Sequence, residues 1–298
     1  MESGNVAALS PYGGGMLSTS EHAHVTLGDL TFDVTISGPA DGAPVVLLHG
    51  FPESAASWAP VSALLNESGL RTYAPNQRGY SPGARPDGVD SYEIDHLVAD
   101  VVGLLDALGL ERAHLVGHDW GAAVAWVVAA RHRDRITSLT AVSVPHPAAF
   151  GWALREDADQ KERSSYIRLL RTEGKAERVL LRDDAQALRA MFGDVVPPAL
   201  VDEHVALLGE PGALTAALNW YRAMTKDFEN TPAVTVPTTY VWSTEDMALG
   251  RAGAERCGEF VDAPYEFVVL DGATHWIPEQ RPDALADAIR TRTGTTPN

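Results

Sequence analysis

The sequence predicts an α/β protein, in which a mostly parallel sheet is flanked by helices and interrupted by an inserted helical cap. Short β-type segments alternate with helical segments along most of the chain, and the buried candidates are continuously apolar. Continuously apolar strands joined by helices are typical of a parallel sheet covered on both faces. The alternation stops near Pro145 and resumes at Thr238, which indicates that a helical unit is inserted into the core.

The core elements are read in chain order from apolar runs and from helical periodicity. Before the interruption, the predicted strands are 24–26, 31–37, 44–48, 71–75, 113–116 and 136–144, and the predicted helices are 55–66, 92–109 and 122–131. After the interruption, strands are expected at 238–243 and 265–270, and helices at 252–260 and 282–292. These segments predict a core formed by residues 21–148 and 232–298.

Two further segments lie outside this core. Residues 1–20 are rich in Gly and Ser and show no periodicity, so they are expected to form a flexible leader. Residues 149–231 are expected to form the helical cap, because they show no return to strand alternation. Their amphipathic patterns lie at 157–171, 184–191, 199–208 and 214–224.

Composition limits the classes of partner. The chain has 298 residues, enough for one large domain with an insertion, and a formal net charge of −17. Such an acidic surface suits neither nucleic acid nor an anionic membrane, and no apolar run approaches the roughly 18 residues of a membrane span. Cys257 is the single cysteine, which excludes an internal disulfide and suits a reducing cytoplasm. We expect a cytoplasmic monomer or homodimer that acts on a small molecule.

The most informative segment is Gly117-His118-Asp119-Trp120-Gly121, which follows the apolar run at 113–116 and precedes a helical pattern. A tight strand–turn–helix elbow needs small residues two positions before and two positions after its tip, because larger side chains would clash there. Serine hydrolases carry a nucleophilic serine at this tip. Here the tip is a carboxylate, and the pattern predicts Asp119 as the nucleophile.

Candidate partners for Asp119 follow later strands. Glu245 and Asp246 come after the first strand beyond the cap, and His275 follows the next strand. The chain order is then nucleophile, acid and histidine, each at the carboxyl end of a strand, where open α/β sheets place their sites. From this order the orienting acid is either Glu245 or Asp246.

The loop after the third predicted strand reads His49-Gly50-Phe51-Pro52-Glu53 and is the expected oxyanion element. The backbone amides of Phe51 and Trp120 should point at one carbonyl oxygen. Pro52 is expected to follow a cis peptide bond, which would aim Phe51 into the cavity. His49 and His118 are expected to shape loops rather than to react.

A second motif, Gly79-Tyr80-Ser81-Pro82-Gly83, matches the Gly-x-Ser-x-Gly pattern of serine hydrolases. The residue after the nucleophile must donate a backbone N–H to the oxyanion, and Pro82 has none. The residues that follow are typical of a loop rather than of a helix. Ser81 is therefore rejected as the nucleophile of a serine esterase, and a role in the turn is predicted.

An aspartate at the elbow changes the reaction that is possible. A serine that attacked a saturated carbon would form a stable ether, whereas Asp119 would form an ester. Water activated by His275 can hydrolyse that ester at the Asp119 carboxyl carbon. The substrate should therefore contain an electrophilic saturated carbon, as in an epoxide or an alkyl halide. No metal or cofactor is expected, because the histidines lack ligand spacing and the reaction needs no cation.

With these residues identified, the chain resembles the α/β-hydrolase fold epoxide hydrolases along nearly its whole length after residue 24. The resemblance rests on the elbow and oxyanion segments above and on Arg78-Gly79-Tyr80-Ser81. It implies that Asp246 is the orienting acid and that an epoxide and water give a vicinal diol. It also implies that two cap tyrosines hold and protonate the epoxide oxygen. The family pattern assigns these roles to Tyr166 and Tyr221.

Phenols suit this role, because with a pKa of about 10 they stay protonated at neutral pH yet are far more acidic than the alcohol that forms. Two phenols on one oxygen would stabilise charge that develops only in the transition state. Substrate contacts are expected from Phe51, Pro52, Trp120 and Trp276. The expected substrate is thus a small-molecule epoxide.

The main alternative is a haloalkane or haloacid dehalogenase on the same scaffold. Halide release calls for N–H donors around the leaving anion and does not need paired phenols. Phe51 stands where many haloalkane dehalogenases carry Asn, and Trp120 argues mildly against a fluoroacetate-type enzyme. A fold that only binds a ligand is disfavoured, because the set of reactive residues is complete.

Overall fold

The computed structural model describes residues 20–295, except for the side chains of residues 226 and 227. Apart from Ser20, the predicted leader lies outside the described residues. The strands are β1 (Glu21–Leu27), β2 (Leu30–Ser37), β3 (Ala43–Leu48), β4 (Leu70–Pro75), β5 (Ala113–His118), β6 (Ile136–Val142), β7 (Thr238–Ser243) and β8 (Tyr265–Leu270).

The described residues also form α-helices and short 3-10 turns. The helices are α1 (Ala59–Glu67), α2 (Ile94–Ala107), α3 (Trp120–Arg131), α4 (Pro147–Glu156), α5 (Ala158–Arg163), α6 (Ile167–Leu170), α7 (Lys175–Ala190), α8 (Pro198–Leu208), α9 (Ala213–Ala223), α10 (Arg251–Glu255), α11 (Ile277–Gln280) and α12 (Pro282–Thr293). The 3-10 turns are Ala55–Trp58, Pro82–Ala84, Asp90–Tyr92, Arg133–Arg135, Ser164–Tyr166, Lys226–Asn230 and Cys257–Phe260.

The strands form one eight-stranded sheet in the order β1-β2-β4-β3-β5-β6-β7-β8. β2 pairs antiparallel with both β1 and β4, and every pair from β4 to β8 across the sheet is parallel. The chain therefore starts with an antiparallel hairpin at one edge and continues as a parallel sheet. The predicted α/β class with a mostly parallel sheet is confirmed.

Helices cover both faces of the sheet. α1 and α12 pack together on one face, and α2 and α3 pack on the other. α3 is buried from Gly121 to Ala129 on every side, as expected for a helix that lies between a sheet and a further layer. The N-terminus of α3 is thus held deep in the molecule, at the carboxyl end of β5.

The cap helices, defined as α4–α9, follow β6 and precede β7 in the chain. α4 begins at Pro147, a residue whose missing N–H costs nothing at the first helical position. The single helix predicted over 157–171 is divided into α5, a 3-10 turn and α6. Sequence periodicity found the helical character of this region but did not show where each helix ends.

α7 contains a break that the amphipathic pattern does not reveal. Asp183, Asp184 and Ala185 all have positive φ, between 53° and 57°. Aspartate tolerates this left-handed region better than most residues do, whereas alanine rarely adopts it. The helix predicted over 184–191 therefore corresponds only to the part of α7 around and after the break.

Polar contacts fix the cap helices over the carboxyl edge of the sheet. Each of them joins a residue of the cap to a loop that follows a core strand. They are the bonds from Trp220 Nε1 to the Arg78 carbonyl (2.9 Å), from Trp276 Nε1 to the Met191 carbonyl (3.1 Å) and between Ser54 Oγ and His204 Nδ1 (3.0 Å). Within residues 20–295, no helix combines the length and the apolarity that a bilayer span requires.

Candidate active site

Asp119 occupies the turn between β5 and α3, with φ 51° and ψ −119°. Positive φ is uncommon for a residue with a side chain and marks a constrained turn. A Cβ on Gly117 would lie 2.2 Å from the Gly121 carbonyl oxygen, and a Cβ on Gly121 would lie 2.1 Å from that of Leu48. Both contacts are far too short, so the backbone of the elbow can adopt this conformation only if these two residues are glycines.

The Asp119 carboxylate is buried and held in one orientation. Its Oδ1 accepts a 2.9 Å hydrogen bond from the Phe51 amide, and its Oδ2 lies 3.6 Å from His275 Nε2. The Phe51-Pro52 peptide bond is cis, as the sequence analysis expected. Trp120 is the first residue of α3, so its amide has no partner within the helix. The carboxylate therefore presents one oxygen to a backbone amide and the other to an imidazole.

His275 is oriented by a second buried carboxylate. Its Nδ1 lies 2.8 Å from Oδ2 of Asp246, whose other oxygen accepts bonds of 2.8 and 2.9 Å from the amides of Ala248 and Leu249. Burial alone would raise the pKa of Asp246, but His275 and the two amides lower it below its usual value. Glu245 is exposed. Of the two acids that the chain order leaves open, it is Asp246 that contacts the imidazole.

The charge state of His275 depends on both neighbouring carboxylates. Burial opposes the charged imidazole, but Asp246 and Asp119 together raise the pKa of His275 well above its usual value. The imidazolium is therefore favoured while Asp119 is ionised. If Asp119 lost its charge, one of these two contributions would vanish and the pKa of His275 would fall.

Tyr166, in the 3-10 turn between α5 and α6, and Tyr221, in α9, line the same cavity as Asp119. The ring of Tyr221 packs edge-on against Phe51 at 5.4 Å and against Trp120 at 5.1 Å between centroids. Burial raises the pKa of both phenols, and the Asp119 charge raises it further. The two hydroxyls interact with each other as well. Both phenols therefore stay protonated beside the carboxylate and remain hydrogen-bond donors.

The cavity in front of Asp119 has a volume of about 40 Å³. Its wall is mostly apolar, and the polar groups in it are the carboxylate and the two phenols. It is lined by Asp119, Trp120, Ala123, Val144, Phe150, Tyr166, Ile167, Tyr221, Met224, Phe228, Ala248 and Leu249. Phe51, Pro52 and Trp276 are buried nearby but do not line this cavity, and their contact with substrate stays a prediction.

A buried network behind His275 was not assigned to the site by sequence reasoning. His118 Nε2 lies 2.9 Å from the carbonyl oxygen of His275, and His118 Nδ1 lies 2.9 Å from Glu53 Oε2. Glu53 also accepts a 3.1 Å bond from the Gly50 amide. Burial opposes its charge, but His118 lowers the pKa of Glu53 well below its usual value. The only sequence signals were a glutamate in the loop after β3 and a histidine beside the elbow aspartate.

The described residues also bear on two other kinds of site, a serine nucleophile and a metal centre. The Ser81 hydroxyl donates to the Asn76 carbonyl at 2.6 Å and accepts from the Asp33 amide at 2.9 Å. Its hydroxyl is thus engaged within the loop, consistent with the turn role predicted for Ser81. Among residues 20–295, no group of three or more His, Cys, Asp or Glu side chains is arranged to hold a metal ion.

Comparison with known proteins identifies the family of this chain. A family model of the alpha/beta hydrolase fold matches residues 43–163. The chain is 34% identical over 294 residues to epoxide hydrolase A of Mycobacterium tuberculosis, covering 83% of this chain and 89% of that protein. It is 36% identical over 272 residues to the AB hydrolase superfamily protein YfhM of Bacillus subtilis, covering 89% of this chain and 95% of that protein.

The comparison with solved structures also gives an epoxide hydrolase. The crystal structure of epoxide hydrolase A from Mycobacterium thermoresistibile matches with a TM-score of 0.81 at 29% identity, covering 94% of this chain and 100% of that chain. The α/β-hydrolase fold and the family resemblance predicted from the sequence are both confirmed. The identity to epoxide hydrolase A and its coverage establish that this chain belongs to the epoxide hydrolase family of the α/β-hydrolase fold.

Proposed function

We propose that the protein converts an epoxide and water to a vicinal diol through a covalent ester on Asp119. Tyr166 and Tyr221 protonate the epoxide oxygen, and His275 with Asp246 activates the water. One observation carries the proposal: two protonated phenols line the same cavity as an aspartate whose Oδ2 lies 3.6 Å from a buried imidazole. A nucleophile, an acid and a base for the two half-reactions are thus present in one site.

In the first half-reaction, Asp119 Oδ2 attacks a ring carbon of the epoxide. Oδ2 is the attacking oxygen because Oδ1 accepts a hydrogen bond from the Phe51 amide. The new carbon–oxygen bond forms as the ring carbon–oxygen bond breaks, and a phenol of the tyrosine pair gives its proton to the departing alkoxide. The products are a hydroxyalkyl ester of Asp119 and a tyrosinate.

In the second half-reaction, the His275 imidazolium first gives its proton to the tyrosinate, and water then gives a proton to the neutral imidazole and attacks the carboxyl carbon of Asp119. The developing oxyanion is Oδ1, which the amides of Phe51 and Trp120 stabilise. Cleavage of the acyl–oxygen bond releases the diol oxygen, which takes the proton from His275. The proton left on the Asp119 carboxyl returns to His275, whose imidazolium is favoured again once Asp119 is ionised. Overall one epoxide and one water give one diol, and every side chain is restored.

Ester formation itself turns His275 into a base. The Asp119 charge is among the causes that hold the pKa of His275 high, and the ester is neutral. The pKa of His275 therefore falls after the first half-reaction, when a proton acceptor is needed. Asp246 stays ionised and supports the imidazolium that forms when water is deprotonated.

The proposal includes the setting in which the enzyme works. Its partner is a small-molecule epoxide rather than nucleic acid or a membrane, in keeping with a net charge of −17. The single cysteine suits a cytoplasmic location. A monomer or a homodimer provides the whole site, because the side chains assigned to both half-reactions come from one chain.

A single-turnover reaction in ¹⁸O-labelled water tests this mechanism. With enzyme in excess over styrene oxide, the first diol should contain only unlabelled oxygen, because its new oxygen comes from Asp119 Oδ2. The label should appear in the peptide that contains Asp119. Mass spectrometry of the diol and of the digested enzyme measures both.

Two outcomes would reject the mechanism. Label in the first diol would mean that water attacks the epoxide directly. Halide release from a haloalkane panel, without diol formation from any epoxide, would favour the dehalogenase alternative instead. A second turnover in the same water should produce labelled diol, which serves as the internal control.

Replacing the cap tyrosines tests the acid. Tyr166→Phe and Tyr221→Phe are each expected to lower kcat by about 10- to 100-fold, because one of two donors to the epoxide oxygen is lost. The double variant should lose at least about 1,000-fold, since the alkoxide would form without a proton donor. Steady-state diol formation measures these effects.

A matched control is Tyr265→Phe, which removes a phenol hydroxyl from a residue outside the cavity. This variant should retain wild-type activity. Wild-type rates in the double variant would show that neither phenol serves as the acid, even though Asp119 could still be the nucleophile.

A further inference from the structure

A second cavity lies beside the one in front of Asp119. Its volume is about 190 Å³, almost five times that of the first cavity at about 40 Å³. The two cavities share the side chains of Trp120, Met224 and Phe228 in their walls. These three shared side chains form a partition between the two cavities.

The first cavity is too small for most epoxides. At roughly 10–15 Å³ for each enclosed water, it holds about three water molecules, which matches an oxirane with substituents no larger than methyl groups. A phenyl substituent does not fit in it. Small-molecule sites usually offer about 300 Å³ or more, and the two cavities together approach that value. A substrate with one large arm needs the second cavity.

Met224 is the movable part of the partition. Trp120 is held in place, because its ring packs edge-on against Trp220 at 5.7 Å and against Tyr221 at 5.1 Å between centroids. Phe228 is buried with 7% exposure. Met224 lies at the point where α9 ends, and its unbranched side chain has several rotatable bonds. Met224 is thus the side chain of the shared wall that can most easily change its rotamer, and it is not one of the groups assigned to the reaction.

The chemistry of the second cavity indicates what it accepts. Its inner wall carries Tyr92, Trp220 and the shared Trp120, whose rings favour edge-to-face contact with another aromatic ring. Charged residues, among them Glu93 and Asp95, stand at its exposed mouth. The interior thus favours an aromatic group, and the mouth leaves its far end in contact with water.

From these observations we infer that the second cavity is a subsite for an aromatic substituent and that Met224 controls access to it. The substrate class is then an epoxide with one small arm, kept beside Asp119, and one aromatic arm that passes Met224. Ala223 lines only the second cavity, so its size affects the aromatic arm alone. This inference rests on the proposed epoxide hydrolysis and adds the identity of its substrates.

Three epoxides test the subsite. trans-Butene oxide has two methyl arms, trans-β-methylstyrene oxide has one methyl and one phenyl arm, and trans-stilbene oxide has two phenyl arms. The wild-type enzyme should prefer the methylstyrene oxide over stilbene oxide by at least about 10-fold in kcat/KM, because the small cavity cannot hold a second ring. Equal rates with these two would contradict the predicted class.

Two variants should move this preference in opposite directions. Ala223→Phe fills the second cavity and should lower the ratio of kcat/KM for methylstyrene oxide over butene oxide by at least about 10-fold. Met224→Ala removes the partition and should raise the same ratio by about 3-fold or more. Using the ratio makes the result independent of any general loss of active enzyme.

The control is Ala206→Phe, the same substitution at an exposed position of cap helix α8. It should leave the ratio unchanged. A folded Ala223→Phe enzyme, or Met224→Ala enzyme, with the wild-type ratio would overturn the subsite, even though diol formation continued. No diol from any of the three epoxides in the wild type would instead reject the proposed function, and the inference with it.

Discussion

Asp119→Asn should reduce diol formation by at least about 10⁴-fold, the scale seen when a nucleophile is removed from a hydrolase site. The amide keeps the shape of the side chain, and asparagine tolerates the positive φ at this position about as well as aspartate does. The fold should therefore survive while the attacking carboxylate is lost. Steady-state rates and the melting temperature, measured together, check both expectations.

The same variant has a second expected effect, on the imidazole. The Asp119 charge is among the causes that raise the pKa of His275. Its removal should lower the pH at which the His275 imidazole titrates, as followed by NMR. The sign is fixed by charge: loss of a neighbouring negative charge makes the imidazolium less favourable. An unchanged titration would contradict the 3.6 Å arrangement, whatever happened to the rate.

Asp134→Asn is the matched control, because this carboxylate carries the same charge but its side chain is 89% exposed. It should change neither the rate nor the titration of His275. If Asp119→Asn retained more than about one per cent of the wild-type rate in a well-folded protein, a covalent ester on this residue would be untenable.

The elbow was predictable because its constraint is local. Gly117 and Gly121 stand two residues from the tip, and backbone contacts near 2 Å would follow from any larger side chain at either position. The residue type of the proposed nucleophile is then read directly from the sequence. The acid and the histidine were predictable because each follows a strand, and parallel strands bring their carboxyl ends to the same edge of the sheet.

The choice of the acid required the fold. Glu245 and Asp246 are adjacent, so no spacing argument separates them. In the structure Glu245 is exposed, whereas Asp246 is buried and accepts hydrogen bonds from two backbone amides of the loop that follows it. In the sequence, only the family resemblance distinguishes Asp246 from Glu245, whereas in the structure Asp246 is the acid that lies 2.8 Å from His275 Nδ1.

The helical segment between β6 and β7 was predictable in kind but not in detail. Its helical character follows from amphipathic periodicity, but the left-handed residues that break α7 have no signature in that pattern. The position of Tyr221 depends on a bond between the neighbouring Trp220 and the carbonyl of Arg78, 142 residues away in sequence. Contacts of this kind arise from packing, and hydrophobic periodicity does not encode them.

His275→Gln should leave ring opening intact and stop the reaction at the ester. Attack by Asp119 needs no base, because the carboxylate is already ionised, whereas hydrolysis of the ester needs one. The enzyme should therefore gain the mass of one substrate molecule, while turnover falls by about 10³- to 10⁴-fold. Mass spectrometry of the intact protein after mixing with styrene oxide measures the adduct, and a digest assigns it to the peptide containing Asp119.

Glutamine is the suitable replacement at this position because it can still donate a hydrogen bond toward Asp246, which would otherwise be a buried carboxylate without its main partner. His96→Gln, at an exposed site, is the control and should show neither adduct nor loss of rate. Adding Asp119→Asn to His275→Gln should abolish the adduct, since no carboxylate remains to be alkylated. An adduct that persisted in this double variant, or none in a folded His275→Gln enzyme, would separate the imidazole from ester hydrolysis and refute the two-step cycle.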